Sequence, residues 1–343
     1  MDDIIKNFQV DGEFIGKKVI ENGLINNTYV YSMLFNGKEK RYIIQKINKF
    51  VFPHPDEVMQ NILNVTQYLK KQNCITLNVV LAKNGLPYFK TEEDEYCRCY
   101  DFIENTFVID EVKSEEEAFN AGKAFGEFLF LLKDYPADSL FESIKDFHNT
   151  KNRYDLLLES LEKDVCNRKK DVEDILDEIE EKSKYAFKII NEYKNYSIPH
   201  RVTHNDTKIN NVLFDKDTKK ACVIDLDTIM PGTMLFDVGD AIVTSAVTKD
   251  NKLDLNYFES YFKGYFSKCK SVLTKREIEL IPLSVKTITF ELVIRFLKDY
   301  LDGDIYFKIS YENENEKRAR NVLSFLRDIE EKEQDMVKII NSI

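Results

Sequence analysis

The spacing of apolar residues changes period part-way along this chain, and that change constrains the fold more than any other feature. Up to about Glu104 the apolar positions fall in short alternating runs between turn signals. Thr28 to Phe35, an Asn36-Gly37 turn and Arg41 to Ile47 predict a β-hairpin. After Pro53 and Pro55, Val58, Ile62, Val65 and Leu69 repeat with helical spacing over Glu57 to Lys71; Val79 to Ala82, Tyr88 to Lys90 and Arg98 to Ile103 read as further strands. Beyond Glu104 the period is 3.6. Ser114 and Glu117 form an S-x-x-E capping box ahead of Ala118, Ala121, Phe125, Phe128 and Leu132. The charged stretch Tyr154 to Tyr193 reads as two helices with a break near Asn167, and Leu255 to Phe266, Ile278 to Leu301 and roughly Glu316 to Ile343 are amphipathic. A β island, Val212 to Phe214 and Cys222 to Leu226, interrupts this helical half. A hairpin-based antiparallel sheet followed by helices predicts an α+β fold. At 343 residues the chain exceeds what one core fills, so two lobes are expected, 1–104 rich in β structure and 105–343 mainly helical.

Charge and cysteine usage narrow the function classes. A net charge of -11, with no basic cluster interleaved with aromatics, argues against a nucleic-acid partner and means that any nucleotide site needs local cations to reverse the field. No stretch approaches 18 uncharged apolar residues, and the start MDDIIKNFQVDGEF has no basic leader, so a soluble cytoplasmic protein with no membrane partner is expected. Six scattered cysteines do not suggest a disulfide framework. Cys97 and Cys99 are the one close pair; on strand periodicity they share a face, and no nearby ligands complete a metal site.

The β island holds the residues with chemical content. VTHNDTKINNVLFD runs from Val202 to Asp215 and VIDLDTIMPG from Val223 to Gly232. An Asp before a strand, an Asn five residues later and a second Asp ending the partner strand predict that Asp206, Asn211 and Asp225 gather around one point. Phosphoryl transfer relies on positioning and charge neutralisation by Mg²⁺, which prefers hard oxygen ligands. Asn211 and Asp225 supply such ligands, leaving Asp206 to orient an acceptor hydroxyl and take its proton. His204 reads as a brace for the loop.

The pattern H-x-D-x-x-x-x-N followed by I-D-x-D resembles the aminoglycoside phosphotransferase and choline kinase superfamily. The strings HNDTKINNVLFD, VIDLDTIMPG and RFLKDYLDGDIYF, with YIIQKIN at 42–48 and FHNT at 147–150, are most similar to the N-acetylhexosamine 1-kinase group within it. The resemblance implies a protein-kinase-like two-lobed fold with ATP between the lobes, Mg²⁺ on Asn211 and Asp225, and Asp206 as base. It also implies phosphorylation of an N-acetylhexosamine at its anomeric hydroxyl. Lys46 matches the strand lysine that pairs with α- and β-phosphates, sharing a face with Ile44 while Gln45 points oppositely, or is an exposed strand lysine; Glu57 is its candidate helix partner or a first-turn acid favoured by the helix dipole. Asn26, Asn27 and Thr28, in the segment ENGLINNTY, offer hydrogen bonds to phosphate or make an ordinary turn; that segment has one glycine where a protein-kinase loop has three. Tyr100 to Ile103, including Phe102, correspond to the hinge that meets adenine. Asp227 is a candidate for metal or sugar binding, or a cap of the following turn. Glu291, Arg295 and Asp299 form a row at i, i+4 and i+8, read either as solvent-exposed ion pairing or, by resemblance, as a substrate site in which Arg295 suits a neutral, hydroxyl-rich acceptor. Two other readings stand beside the sugar kinase: a kinase of an amino alcohol or aminoglycoside, and a nucleotide-binding regulator without turnover.

Overall fold

The computed structural model of the chain describes residues 4–20 and 26–343. In chain order, a 3-10 turn at Ile4–Asn7 precedes β1 (Glu13–Ile20), β2 (Asn27–Phe35), β3 (Lys38–Lys46), α1 (Pro55–Lys71), β4 (Val79–Val80), β5 (Phe89–Lys90), β6 (Tyr96–Asp101) and β7 (Thr106–Val108). Then follow α2 (Glu115–Leu131), α3 (Thr150–Lys163), α4 (Glu173–Lys182), α5 (Lys188–Lys194), β8 (Arg201–Thr203), β9 (Val212–Asp215) and β10 (Ala221–Val223). The chain closes with α6 (Met234–Ser245), α7 (Leu255–Cys269), α8 (Lys275–Leu301), α9 (Glu314–Glu331) and α10 (Glu333–Ser342). It divides into two units. The first comprises Met1–Val108, Ser139–Lys145 and Asn211–Met230, and the second Ile109–Asp138, Asp146–Asn210 and Pro231–Ile343. The antiparallel sheet and the mainly helical part expected from the period change are both present, but the division is not one cut at 104/105, because the β island returns to the first unit.

In the first unit the antiparallel sheet has the order β1-β2-β3-β6-β4, with β5 also on β6. Asn36 and Gly37 close the β2–β3 hairpin with φ of 52° and 73°, the left-handed pair that a two-residue turn needs to match strand twist. Register sorts the side chains into two faces. Ile44 lies opposite Cys99 and Lys46 opposite Cys97, and this face packs Tyr31, Tyr42, Ile44, Cys97 and Cys99 on Ile5 and Phe8. Cys97 and Cys99 do share a face; burial, then Glu95, pushes the Cys97 thiol up to about 11, the mark of an inert core thiol. Gln45 lies opposite Arg98 on the other face, where Met59 Sδ of α1 is 3.9 Å from Arg98 Nη1. A second sheet, β10-β9-β7, contains the island strands and adds β7, which the sequence pattern did not separate from its surroundings. Asp215 Oδ1 accepts from Thr218 N at 2.6 Å and Asp217 N at 3.1 Å, so its own side chain folds the β9–β10 turn. The strand expected to run to Leu226 ends at Val223; Leu226–Thr228 is a 3-10 turn.

The core of the second unit forms along α8, whose Phe290, Val293, Ile294, Leu297 and Leu301 pack with Leu157 of α3, Ile175 and Ile179 of α4 and Leu323 and Leu326 of α9. Thr274 and Glu277 make a reciprocal capping box at its start. Ser114 Oγ accepts from Glu117 N at 3.2 Å and caps α2 as the sequence predicts. The stretch from Tyr154 to Tyr193 holds three helices and not two: left-handed Asp164 and Asn167 end the first, and a 3-10 turn at Ser183–Ala186 ends the second. The final amphipathic segment likewise divides at Lys332 into α9 and α10. Among the described residues no helix is long and apolar enough to cross a membrane.

Helices α2 and α7 touch through glycines. A Cβ on Gly122 falls 1.9 Å from Tyr261 O, and one on Gly264 falls 2.0 Å from Phe119 O, so the two backbones approach only because these side chains are absent. Gly122→Ala is expected to destabilise the protein by about 1–3 kcal/mol in urea unfolding, whereas Gly16→Ala, where a Cβ meets nothing within 4 Å, stays within about 0.5 kcal/mol of the parent. Equal midpoints for the two variants rule out this account of the contact.

Candidate active site

In the second unit, β8 ends at Thr203 and leads into His204, Asn205, Asp206 and Thr207. A loop that turns through a left-handed residue, here Asn205 with φ of 64°, leaves backbone N–H groups needing partners. Asp237, in the first turn of α6, supplies them: its carboxylate accepts from His204 N at 3.0 Å and Asn205 N at 2.7 Å. Asp240 accepts from Thr207 N at 2.7 Å, and Thr207 Oγ1 donates to Asp237 O at 2.6 Å. Burial pushes the Asp237 carboxyl up to about 6 against the pull of these amides and of His204. Asp240 is raised as well, by burial and then by the charge of Asp206. His204 is fully buried, edge-on to Phe125 and Phe128, and its Nδ1 accepts from Asp206 N at 3.2 Å, the bracing role its position suggested. The Asp206 carboxylate forms an ion pair with Lys208 at 2.6 Å. Neither Asp237 nor Lys208 was singled out from sequence; the signal for Lys208 was its place two residues after Asp206, and Asp237 had none beyond a first-turn acid.

The row on α8 is not solvent-exposed. Glu291 and Asp299 are 1% and 5% exposed. His148 joins Glu291 to the loop, with Nδ1 2.9 Å from Glu291 Oε1 and Nε2 3.2 Å from Asn205 O, while Thr150 Oγ1 donates to Glu291 Oε2 at 2.7 Å. Burial alone pushes His148 down, but the charge and hydrogen bond of Glu291 outweigh it and hold the imidazole above its ordinary value. For Glu291 burial pushes up and His148 more than reverses it. Asp299 accepts from the backbone N–H groups of Ile305, Tyr306 and Phe307 at 3.0, 2.7 and 2.9 Å. It thereby fixes the loop whose rings surround Arg295. The Arg295 guanidinium lies 5.5 Å from the Phe147 ring, 5.6 Å from Phe307 and 6.0 Å from Tyr306. It is half-buried and makes no salt bridge among the described residues.

In the first unit, Ile224 N donates to Asn211 O at 2.9 Å, which sets Asn211 beside the end of β10 and so beside Asp225. Asp225 has φ of 58° and opens the 3-10 turn containing Asp227. A side-chain amide oxygen and a carboxylate at adjacent strand ends are hard donors that fit Mg²⁺ completed by phosphate and water; among the described residues no group of three or more His, Cys, Asp or Glu could hold a metal by itself. Asp227 is buried and engaged: Arg98 forms an ion pair with it, Asn26 Nδ2 donates to its Oδ2 at 2.6 Å, and Ser143 Oγ donates to its backbone oxygen at 3.1 Å. Its carboxylate anchors the turn. Asn26 Oδ1 also accepts from Asn48 N at 3.0 Å, and Thr28 Oγ1 accepts from Gln45 Nε2 at 3.0 Å. Residues 21–25 of the expected phosphate-covering segment lie outside the described residues. The register puts Lys46 with Ile44 on one face, as expected, and that face is opposite α1; there it pairs with Glu95 and not with the expected Glu57. Tyr100 is buried on the α1 face, and burial pushes its hydroxyl well above the ordinary tyrosine value. Phe102 N donates to Arg41 O at 3.0 Å, and the Arg41 guanidinium lies 3.9 Å from the Phe102 ring.

Residues 18–270 match the phosphotransferase enzyme family APH. Among solved structures, the microcompartment-associated aminopropanol kinase is similar with a TM-score of 0.63 at 12% identity, over 97% of this chain and 96% of that one. A choline kinase from Cryptosporidium parvum Iowa II is similar with a TM-score of 0.56 at 18% identity, over 98% and 96%. An amicoumacin kinase in complex with AMP-PNP, Ca²⁺ and Ami has a TM-score of 0.59 at 14% identity, over 94% and 90%. At these identities the likeness speaks for the fold.

The His148–Glu291 pair is testable by its pH dependence. The contribution of His148 is complete below its ordinary value of 6.5 and is lost as pH rises through the raised folded value; that of Glu291 is present above 4.5 and is lost as pH falls through the lowered one. Glu291→Gln is therefore expected to cost about 3–5 kcal/mol near pH 6 and progressively less towards alkaline pH. A deficit in urea unfolding that does not change with pH contradicts a charged pair.

Proposed function

The chain belongs to the phosphotransferase enzyme family, and on that premise we propose that it transfers the γ-phosphoryl group of ATP to the anomeric hydroxyl of an N-acetylhexosamine, GlcNAc or GalNAc, giving the sugar 1-phosphate and ADP. The observation that carries the transfer reaction is the fixing of the Asp206 loop by three carboxylates: buried Asp237 and half-buried Asp240 directly, and buried Glu291 through His148. Positioning and charge stabilisation supply most of the catalysis in such a reaction, and a general base must be held within hydrogen-bond reach of the hydroxyl it serves.

In this reading Asp206 orients the acceptor hydroxyl and receives its proton as that oxygen bonds to the γ-phosphorus and the bond from phosphorus to the ADP oxygen breaks. Asn211 and Asp225 hold Mg²⁺, which when bound neutralises charge on the β- and γ-phosphates. Tyr100 and Phe102, at the end of β6, lie on the segment that meets adenine through its backbone. For the acceptor, a guanidinium without a salt bridge among Phe147, Tyr306 and Phe307 favours a neutral compound with hydroxyl and carbonyl oxygens and apolar ring faces. A polycationic acceptor would meet the Arg295 charge.

Incubation with MgATP and a panel of GlcNAc, GalNAc, choline, ethanolamine and an aminoglycoside, followed by phosphorus NMR, tests the acceptor; a hexosamine 1-phosphate is the expected product. Turnover of choline or ethanolamine alone moves the assignment to an amino-alcohol kinase, and no turnover with any acceptor favours a nucleotide-binding regulator. Asp206→Asn is expected to lower kcat about a hundredfold to ten-thousandfold with ADP affinity unchanged. Equal rates for the two forms reject Asp206 as the base.

A further inference from the structure

Arg98 of β6 is the largest of the fully buried side chains, 1% exposed. A guanidinium offers five N–H donors in a planar fork and keeps its charge when buried. Here Nε donates to Gln45 Oε1 at 2.9 Å and Nη1 pairs with Asp227. The two N–H bonds of Nη2 make no hydrogen bond among the described residues. Nη2 is not among the described buried polar atoms left without a partner, which are Thr76 Oγ1, Ser245 Oγ and Tyr261 OH, so it keeps an accessible edge that an anion can reach.

Its surroundings indicate the kind of occupant. Arg98 stands on the α1 face of the sheet, with its guanidinium 5.4 Å from the Tyr100 ring centroid. Its partner Asp227 lies two residues beyond Asp225 in the same turn, and the second oxygen of Asp227 is tied by Asn26, the residue just before β2. Burial pushes the Arg98 pKa down, and the charges of Asp227 and, to a smaller degree, Asp225 more than restore it. The guanidinium is thus a permanent cation beside the carboxylate proposed to carry the metal. Lys46, which the sequence offered for the phosphates, stands on the other face, paired with Glu95.

We propose that Arg98 binds a phosphate oxygen of the nucleotide through Nη2, the role expected of Lys46, while its bond to Asp227 through Nη1 sets the turn from which Asp225 reaches the metal. The inference rests on the reading of Asp225 as a metal ligand. A planar fork suits this double duty better than an ammonium: Gln45 holds Nε and Asp227 holds Nη1, which together fix the plane of the guanidinium and so the direction in which Nη2, between them, faces an anion.

Titration calorimetry of the full chain with ADP and Mg²⁺ tests this. Arg98→Met alone strands Asp227 as a buried unpaired carboxylate, so the variant to use is Arg98→Met/Asp227→Asn, with a cooperative melting curve as the check of folding. ADP binding is expected to weaken about tenfold to a hundredfold. Arg98→Lys, which keeps the charge and loses the fork, is expected to fall between that variant and the parent, and reads the same question if the double variant does not fold. Lys46→Met is expected to shift ADP affinity by less than about threefold. Parent-like affinity in the Arg98 variants, or a loss confined to Lys46→Met, overturns the proposal. Manganese binding without nucleotide, followed by EPR, separates it from the reading beneath it. If Asp225→Asn binds Mn²⁺ as the parent does, the metal assignment fails; if it loses Mn²⁺ while the Arg98 variants bind ADP normally, only the role of Arg98 fails.

Discussion

The Asp206 loop depends on one buried carboxylate accepting two consecutive backbone N–H groups. Asp237 accepts from His204 and Asn205 where the chain passes through a left-handed residue on its way to Asp206. Without an acceptor those amides would be buried donors with no partner, and the turn would relax towards whatever satisfied them. Because Asp237 belongs to α6, a helix whose other first-turn side chains are buried, the position of the loop is inherited from the packing of the second unit.

The same device recurs. Asp299 accepts from three successive amides and fixes the loop with Tyr306 and Phe307; Asp227 is clasped by Arg98 and Asn26 and fixes the turn after β10; Asp328 accepts from Leu253 N at 2.6 Å between α6 and α7. Burying a carboxylate is expensive unless hydrogen bonds and charge satisfy it, so each of these is a poor source of net stability and a strong source of geometry. A chain with a net charge of -11 places several of its acids where they organise loops rather than where they repel solutes.

Glycine and the left-handed turns do related work at the level of the backbone. Gly122 and Gly264 let α2 and α7 approach to the distance of touching backbones, and the left-handed conformations of Asn36, Asn205 and Asp225 lie at turns that bring functional side chains or strands into register. Asn and Asp tolerate that conformation better than other residues because their short polar side chains bond locally.

Much was legible in the sequence by itself: the hairpin at Asn36-Gly37, the helix over Glu57 to Lys71, which the structure starts two residues earlier at Pro55, the cap at Ser114, the shared face of Cys97 and Cys99, and a phosphotransferase motif in the β island. Those features rest on period, turn chemistry and short-range spacing, which a linear pattern carries. Tertiary structure decided the rest. Whether the face of Ile44 and Lys46 meets α1 or the N-terminal segment is not encoded by alternation, which says only that the two residues point the same way. A buried arginine reads like an exposed one, so Arg98 and its bond to Asp227, 129 residues away, had no sequence signal. The choice between the two readings of Glu291 and Asp299 was undecidable for the same reason: charge in a sequence fits solvent as well as a built site, and only the fold, which buries both, excludes solvent-exposed pairing.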